Sequence, residues 1–261
     1  MQSKICTLIP HFNNLEGLKL SVASIQEEIK VDLLIVDDGS QIKPKYKDFN
    51  YCHGNIKIIE LPKNVGLALA LNAGLAYLQS EKYEYIGRLD AGDTCVKNRF
   101  TKQIDYLEKN KDTYLLGSWV NVVDENFNFK YVLKHPTDYE TIKKKMYFNL
   151  TFMHPAICFR TKLLNEVGNY PTKFFTEDYA FIFNIVKKRK SENLPEPLIN
   201  YVIDPSSVSS QKRLKQVWHR ILVIKEHFYF GYYPIMGLLR NSLLLLVSRN
   251  VSEKVKSILR G

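Results

Sequence analysis

The feature that most constrains this chain is an alternation, over its first 110 residues, of short apolar runs with longer segments of helical period. The runs KICTLI (4–9), VDLLIV (31–36), IKIIEL (56–61) and EYIGRL (84–89) have the length of strands. Little every-second-residue polarity interrupts them, so they read as strands buried on both faces. Between them, Leu15, Leu18, Val22, Ile25 and Ile29 recur at helical spacing. VGLALALNAGLAYLQS (65–80) is an Ala/Leu-rich helix whose glycines permit close packing, and NRFTKQIDYLEKN (98–110) is a third helix. Such alternation predicts an α/β fold with a mostly parallel central sheet and helices on both faces.

In a parallel sheet the carboxyl ends of the strands share one edge, where ligands bind. Three runs here end in polar groups: His11-Phe12-Asn13, Asp37-Asp38-Gly39-Ser40 and Asp90-Ala91-Gly92-Asp93. The last sits in YEYIGRLDAGDTC (83–95), a buried strand that breaks into two carboxylates around a glycine. A tight turn explains that spacing, and so does a divalent cation holding a phosphate. The first strand is not followed by GxGxxG, which argues against a dinucleotide site, and the chain has no GxxxxGK[ST] phosphate loop.

After Tyr114 the pattern changes. YLLGSWVNVVD (114–124) and FKYVL (129–133) suit antiparallel or edge strands, and TFMHPAICFR (151–160) reads as a strand followed by a short helix. TEDYAFIFNIVKKRK (176–190) is a helix opened by Thr176 as N-cap, with acids in its first turn and bases in its last. PLINYVI (197–203) is a strand, and from Ser209 the chain reads as helices. The expected division is an α/β unit over 1–204 and a basic, amphipathic helical extension over 205–261.

The charge is +10 and unevenly placed: from Pro205 onward there are ten Lys and Arg against two Glu. A basic tail of this kind suits an anionic partner, whether membrane, nucleic acid or phosphate-bearing substrate. Cys6, Cys52, Cys95 and Cys158 form no CxxC pair and read as reduced thiols, which predicts a cytoplasmic protein. MQSKICTLIPHF has too short an apolar run for a signal peptide, and IMGLLRNSLLLLV (235–247) is too short to span a bilayer. With 45% hydrophobic residues in 261, the chain can build one large domain, or one with an appendage.

Taken together, TLIPHFNN, LLIVDDGS, NVGLALALNAG, GRLDAGD, HPAICFR and TEDYAFIFNI stand in an order and spacing that resembles the family 2 glycosyltransferases, over roughly residues 4–203. The resemblance implies a GT-A fold, and an inverting transfer from a nucleoside diphosphate sugar to a saccharide or lipid-linked acceptor, as in O-antigen or capsule synthesis, with no nucleic acid involved. It implies that Phe12 packs on the nucleotide base, Asp38 accepts a base N–H, and Asn64 and Gly66 at a helix start face phosphate. It also implies that Asp90, with Asp93, holds Mn²⁺ or Mg²⁺ on the diphosphate, where the metal offsets the leaving group's charge.

The family pattern D-x-D-D is broken by Gly92, which puts the metal on Asp90 or Asp93 or weakens it. Arg88 either assists the diphosphate or pairs with an acid. His154 either lines the metal or acceptor site or is structural. Asp178 of the Glu177-Asp178 pair is the implied base, unless both acids only cap the helix. Burial would raise the Asp178 pKa and the helix N-terminus would lower it. The QxxRW signature of processive members is absent around Gln211, which favours transfer of a single sugar. A nucleotidyltransferase or a non-catalytic nucleotide-sugar module are the alternatives. Apolar and aromatic positions after Ser209, flanked by bases, suit a helix in the interface of the inner membrane or helices packed on the protein itself.

Overall fold

A computed structural model describes residues 3–203 and 212–246. In chain order come β1 (Ile5–His11), α1 (Leu15–Ser24), β2 (Val31–Asp37), β3 (Ile56–Glu60), α2 (Leu67–Ser80) and β4 (Tyr85–Arg88). Strand β1 lies between β2 and β4 and is parallel to both, and β3 extends the parallel set from β2. The chain continues through β5 (Thr94–Cys95), α3 (Arg99–Lys109), β6 (Thr113–Val123), β7 (Phe129–Leu133), α4 (Tyr139–Lys145), β8 (Cys158–Arg160), α5 (Leu164–Val167), α6 (Glu177–Lys188) and β9 (Lys190–Val202). Helices α7 (Arg213–Glu226) and α8 (Tyr232–Leu246) close the described part.

Among the described residues the sheet has nine strands in the order β3-β2-β1-β4-β8-β6-β9-β5, with β7 paired to β6. The first four strands are parallel, as their apolar runs predict. Strand β8 is antiparallel to β4 and β6, and β6–β7 is an antiparallel pair. The short β5 pairs with the end of β9, Thr94 opposite Asn200. That pairing draws the loop after β4 against the last residues of β9.

Alternate residues leave opposite faces of a strand. Leu34 and Val36 enter one core with Leu71, Leu75 and Phe181, while Leu33 and Ile35 enter a second with Leu18 and Phe100. Helices therefore cover both faces: α1 and α3 on one, α2 and α6 on the other. Gly74 lets α2 press on β1, since a Cβ there would stand 2.4 Å from Leu8 Cδ1.

Two local expectations differ from the structure. The strand read over 151–160 is strand only at Cys158–Arg160, and His154–Ala156 is a 3₁₀ turn. Pro155 offers no N–H to a ladder. Conversely, β9 starts at Lys190 rather than Pro197. Its prolines, Pro195 and Pro197, are accommodated where the β6–β9 register shifts around Trp119. Part of the basic extension packs on the sheet domain. Val223 and Ile224 of α7 join the core that holds Phe183, and the Tyr147 hydroxyl donates to the His227 carbonyl (2.9 Å). Gly237 admits α8 so closely that a Cβ would meet the Tyr147 carbonyl oxygen at 2.3 Å. No described helix is long and apolar enough to cross a membrane.

Candidate active site

The parallel register sets His11 beside Asp37 and Leu8 beside Arg88, so the polar ends of β1, β2 and β4 lie along one edge. His11 is buried, and its Nε2 accepts the Asn14 N–H (3.2 Å). That leaves Nδ1 to donate to Asp37 Oδ1 (2.7 Å). This pair fixes the loop over which the chain turns at Asn13, whose φ is +50°. Phe12, next to it, is 47% exposed, so it is an aromatic face offered at the edge rather than a core side chain.

Asp38 is buried, and its two oxygens accept the N–H groups of Val65 (2.7 Å) and Gly66 (2.9 Å). The Asp37-Asp38-Gly39-Ser40 turn thus anchors the segment entering α2. Gly39, at φ +74°, sits where a Cβ would strike the Lys63 backbone. Gly66, at φ +91°, caps α2 with open space where a side chain would be. Asn64 is exposed in the same loop. The uncapped α2 N-terminus therefore faces outward at the shared edge, suited to an anion.

The segment after β4 explains why a buried strand ends in two carboxylates: they do different things. Arg88 is wholly buried. It donates to the Leu8 carbonyl (2.7 Å) and to Asp90 Oδ1 (2.6 Å). It thus pairs with an acid and orients Asp90, whose side chain remains 38% exposed. Asp93 turns inward, where Oδ1 accepts the Val202 N–H (2.9 Å) and Oδ2 is buried without a hydrogen-bond partner. Burial, then the Asp90 charge, hold the Asp93 carboxyl well above the ordinary range. Ser21 of α1 fastens the turn, accepting the Gly92 N–H (2.9 Å) and donating to the Asp93 carbonyl (2.7 Å). Asn14 Nδ2 donates to the Ala91 carbonyl (3.1 Å).

Across from this turn, α6 opens with Glu177 and Asp178. Thr176 holds the N-cap position but makes no capping bond, and its Oγ1 is buried without a partner. A first-turn amide of α6 is served instead by Asp178, whose Oδ1 accepts the Tyr179 N–H. Burial pushes Glu177 up to about 7, with the Asp178 and Asp90 charges adding to the shift. Burial also raises Asp178, against the Tyr179 N–H that Oδ1 accepts (2.7 Å) and the Arg220 charge from α7. Desolvation prevails over the helix terminus here. Asp90 acts on both acids, so the three carboxylates belong to one electrostatic site. His154 is buried, bonded through Nε2 to the Tyr170 hydroxyl (2.8 Å), and kept neutral by burial. The Tyr170 contact occupies one of its two ring nitrogens.

The profile of the family described as Glycosyl transferase family 2 matches residues 6–168. The chain belongs to glycosyl transferase family 2. One relative is the Escherichia coli UDP-Gal:alpha-D-GlcNAc-diphosphoundecaprenol beta-1,3-galactosyltransferase, 30% identical over 177 residues; the match covers 67% of this chain and 62% of that relative. Another is the Escherichia coli UDP-Glc:alpha-D-GlcNAc-diphosphoundecaprenol beta-1,3-glucosyltransferase WfgD, 23% identical over 223 residues, with coverage of 82% and 83%. Residues 1–349 of Staphylococcus aureus TarS superpose with a TM-score of 0.68 at 16% identity, over 92% of this chain and 71% of that one. The Pyrobaculum calidifontis mannosyltransferase PcManGT, solved with GDP-Man and Mn²⁺, gives 0.64 at 14% identity, over 95% and 71%. The fold is thus the GT-A fold of family 2.

Within that family frame, no group of three or more His, Cys, Asp or Glu suited to a metal occurs among the described residues. Mg²⁺ is commonly held by one or two carboxylates plus substrate phosphates, and the partly exposed Asp90 fits that mode. Asp93 fits less well, since its bonded oxygen faces Val202. Sequence reasoning missed Ser21, Asn14 and Arg220. Ser21 and Arg220 lie within helices and carry no motif of their own, and the link between Asn14 and Ala91 joins residues far apart in the chain.

Proposed function

We propose that the chain is an inverting, non-processive glycosyltransferase. It moves one sugar from a nucleoside diphosphate donor to a saccharide carried on a lipid diphosphate, in the synthesis of a surface polysaccharide. The observation that carries this reading is the convergence of Asp90, Glu177 and Asp178 at the edge that also presents Phe12 and the open N-terminus of α2. The relatives that act on GlcNAc-diphosphoundecaprenol support the acceptor class, and their UDP-Gal and UDP-Glc make UDP-hexoses the first donors to test.

In this reading the base ring packs on Phe12, and Asp38, through the Val65 and Gly66 N–H groups it accepts, fixes the segment that enters α2 beside the donor. Asp178 takes the proton of the acceptor hydroxyl as that oxygen bonds the anomeric carbon. The bond to the diphosphate breaks on the opposite face, inverting the centre. The raised Asp178 pKa suits a base, and transfer is lost on the acid side as it protonates. Asp90 would hold Mn²⁺ or Mg²⁺, which offsets the charge of the departing diphosphate when bound. Chelation with EDTA should abolish transfer, with recovery on adding Mn²⁺ or Mg²⁺; full activity in chelator would remove Asp90 from that role.

In this reading, with a lipid-linked acceptor, the enzyme works as a peripheral protein at the inner face of the plasma membrane. Ile235, Leu239, Leu243 and Leu246 form an exposed stripe along α8, and Phe230 before it is 95% exposed. Such a face with nearby bases suits a bilayer interface. The test of the reading is the mass of the product. A GlcNAc-diphosphate lipid acceptor should gain one hexose and no more, in the anomeric form opposite to the donor. A ladder of products, or retention, would contradict it.

A further inference from the structure

We infer that Lys212 and Lys215, at the start of α7, form with Phe175 the binding site for the diphosphate of a lipid-linked acceptor, held at the water–lipid boundary beside Glu177 and Asp178. This rests on the transferase reading above. Phe175 immediately precedes Thr176 and the acids that open α6. Two ammonium groups stand over its ring, Lys215 Nζ at 4.5 Å and Lys212 Nζ at 5.7 Å from the centroid. The Phe175 N–H donates to His219 Nδ1 (3.0 Å), so α7 is fastened to the loop that carries the candidate base.

Among the described residues the charges there lack a counterion. Lys173 is paired with Glu226, but no acid lies within ion-pair distance of Lys212 or Lys215 among the described residues. The ring orients the two cations without neutralising them. Two like charges gathered over one ring make a place for a group of concentrated negative charge. Only Thr176 and Glu177 lie between Phe175 and Asp178, so the two Cα atoms are at most about 10 Å apart. The lysines over Phe175 are thus tied to the chain segment that opens on the candidate base.

The lipid has a place as well. Leu214 and Trp218, one turn apart on the same helix, are each about half exposed. Tryptophan favours the boundary between headgroups and hydrocarbon. The shared chemistry is a phosphate ester at a membrane surface, and the bilayer's own headgroups offer it too. Convergence of both lysines on one ring favours a single compact dianion over a diffuse anionic surface.

The experiment is equilibrium binding of the full chain to phosphatidylcholine vesicles. One set carries a long-chain prenyl diphosphate and the other carries phosphatidylglycerol at the same surface charge. The wild type should prefer the diphosphate vesicles by roughly five- to thirty-fold, the scale of two lysine contacts. Lys212→Gln with Lys215→Gln should remove that preference. Lys82→Gln with Lys109→Gln, at the opposite edge of the sheet, should keep it. Equal affinity of the wild type for both vesicles overturns the inference, as does a preference that survives in the Lys212/Lys215 variant or is lost equally in the control. The outcomes for transfer are separate. A diphosphate preference without any sugar transfer upholds this site and refutes the transferase reading, and transfer without the preference does the reverse.

Discussion

Glu177 and Asp178 are adjacent acids with different tasks, and substitution separates them. Asp178→Asn keeps the size and the acceptor oxygen for the Tyr179 N–H. It should bind donor as the wild type does while kcat falls by roughly 10²–10⁴, the range for removal of a general base. Near wild-type turnover in that variant would transfer the role to Glu177. Glu177 makes a prediction about stability. A carboxyl whose folded pKa lies above its unfolded one binds its proton more tightly when folded, so its contribution is greatest at low pH and is lost as pH rises through the folded value. For Glu177 that window runs from the ordinary 4.5 to about 7. Glu177→Gln should therefore raise Tm at pH 8 and leave it little changed at pH 4.5, as thermal melts will show. An equal effect at both values would deny that burial of the charge is the cause.

At the scale of elements, the turn between β4 and β5 is held by α1 and β9, not by its own sequence. Ser21→Ala would strip partners from the Gly92 N–H and the Asp93 carbonyl, a cost of about 1–3 kcal/mol for a buried group left unpaired. Urea unfolding should show that loss, and an unchanged midpoint would mean the turn stands unaided. Asp93→Asn preserves an acceptor for the Val202 N–H and should retain most activity, whereas Asp90→Asn should lose it by kcat assay. The reverse order would make Asp93 the ligand. The parallel half of the sheet was legible because strands buried on both faces leave uninterrupted apolar runs. The shared edge of His11, Asp37 and Asp90 followed from it. Strand β9 was legible only after Pro197, because Pro195 and Pro197 break the pattern that a bulged register tolerates. The role of Arg88 was left open, since a sequence places it beside Asp90 but cannot show that Leu8 and Asp90 absorb its guanidinium. Ser21 occupies a helical position among apolar neighbours, and its link to Gly92 spans 71 residues.

On the scale of the whole molecule, α7 and α8 serve the core on one side and expose apolar side chains on the other. Cutting the chain after Ile203 would uncover Tyr147 and Phe183, so such a fragment should aggregate rather than report on membranes. The informative change is Leu239→Gln with Leu243→Gln, on the exposed stripe of α8. The full chain should float with anionic liposomes at low salt, less so at high salt where charge is screened, and the double variant should float less at either. A wild type that stays in the soluble fraction throughout would assign the stripe to another role. The central claim is that the edge shared by Phe12, Asp90 and the α6 acids catalyses sugar transfer. Its most direct test is release of nucleoside diphosphate from UDP-galactose, UDP-glucose and a wider donor panel, with and without a GlcNAc-diphosphate lipid acceptor. The account predicts release with at least one donor that rises sharply when acceptor is present and disappears in Asp178→Asn. No release with any donor, or release indifferent to both acceptor and Asp178, would contradict it.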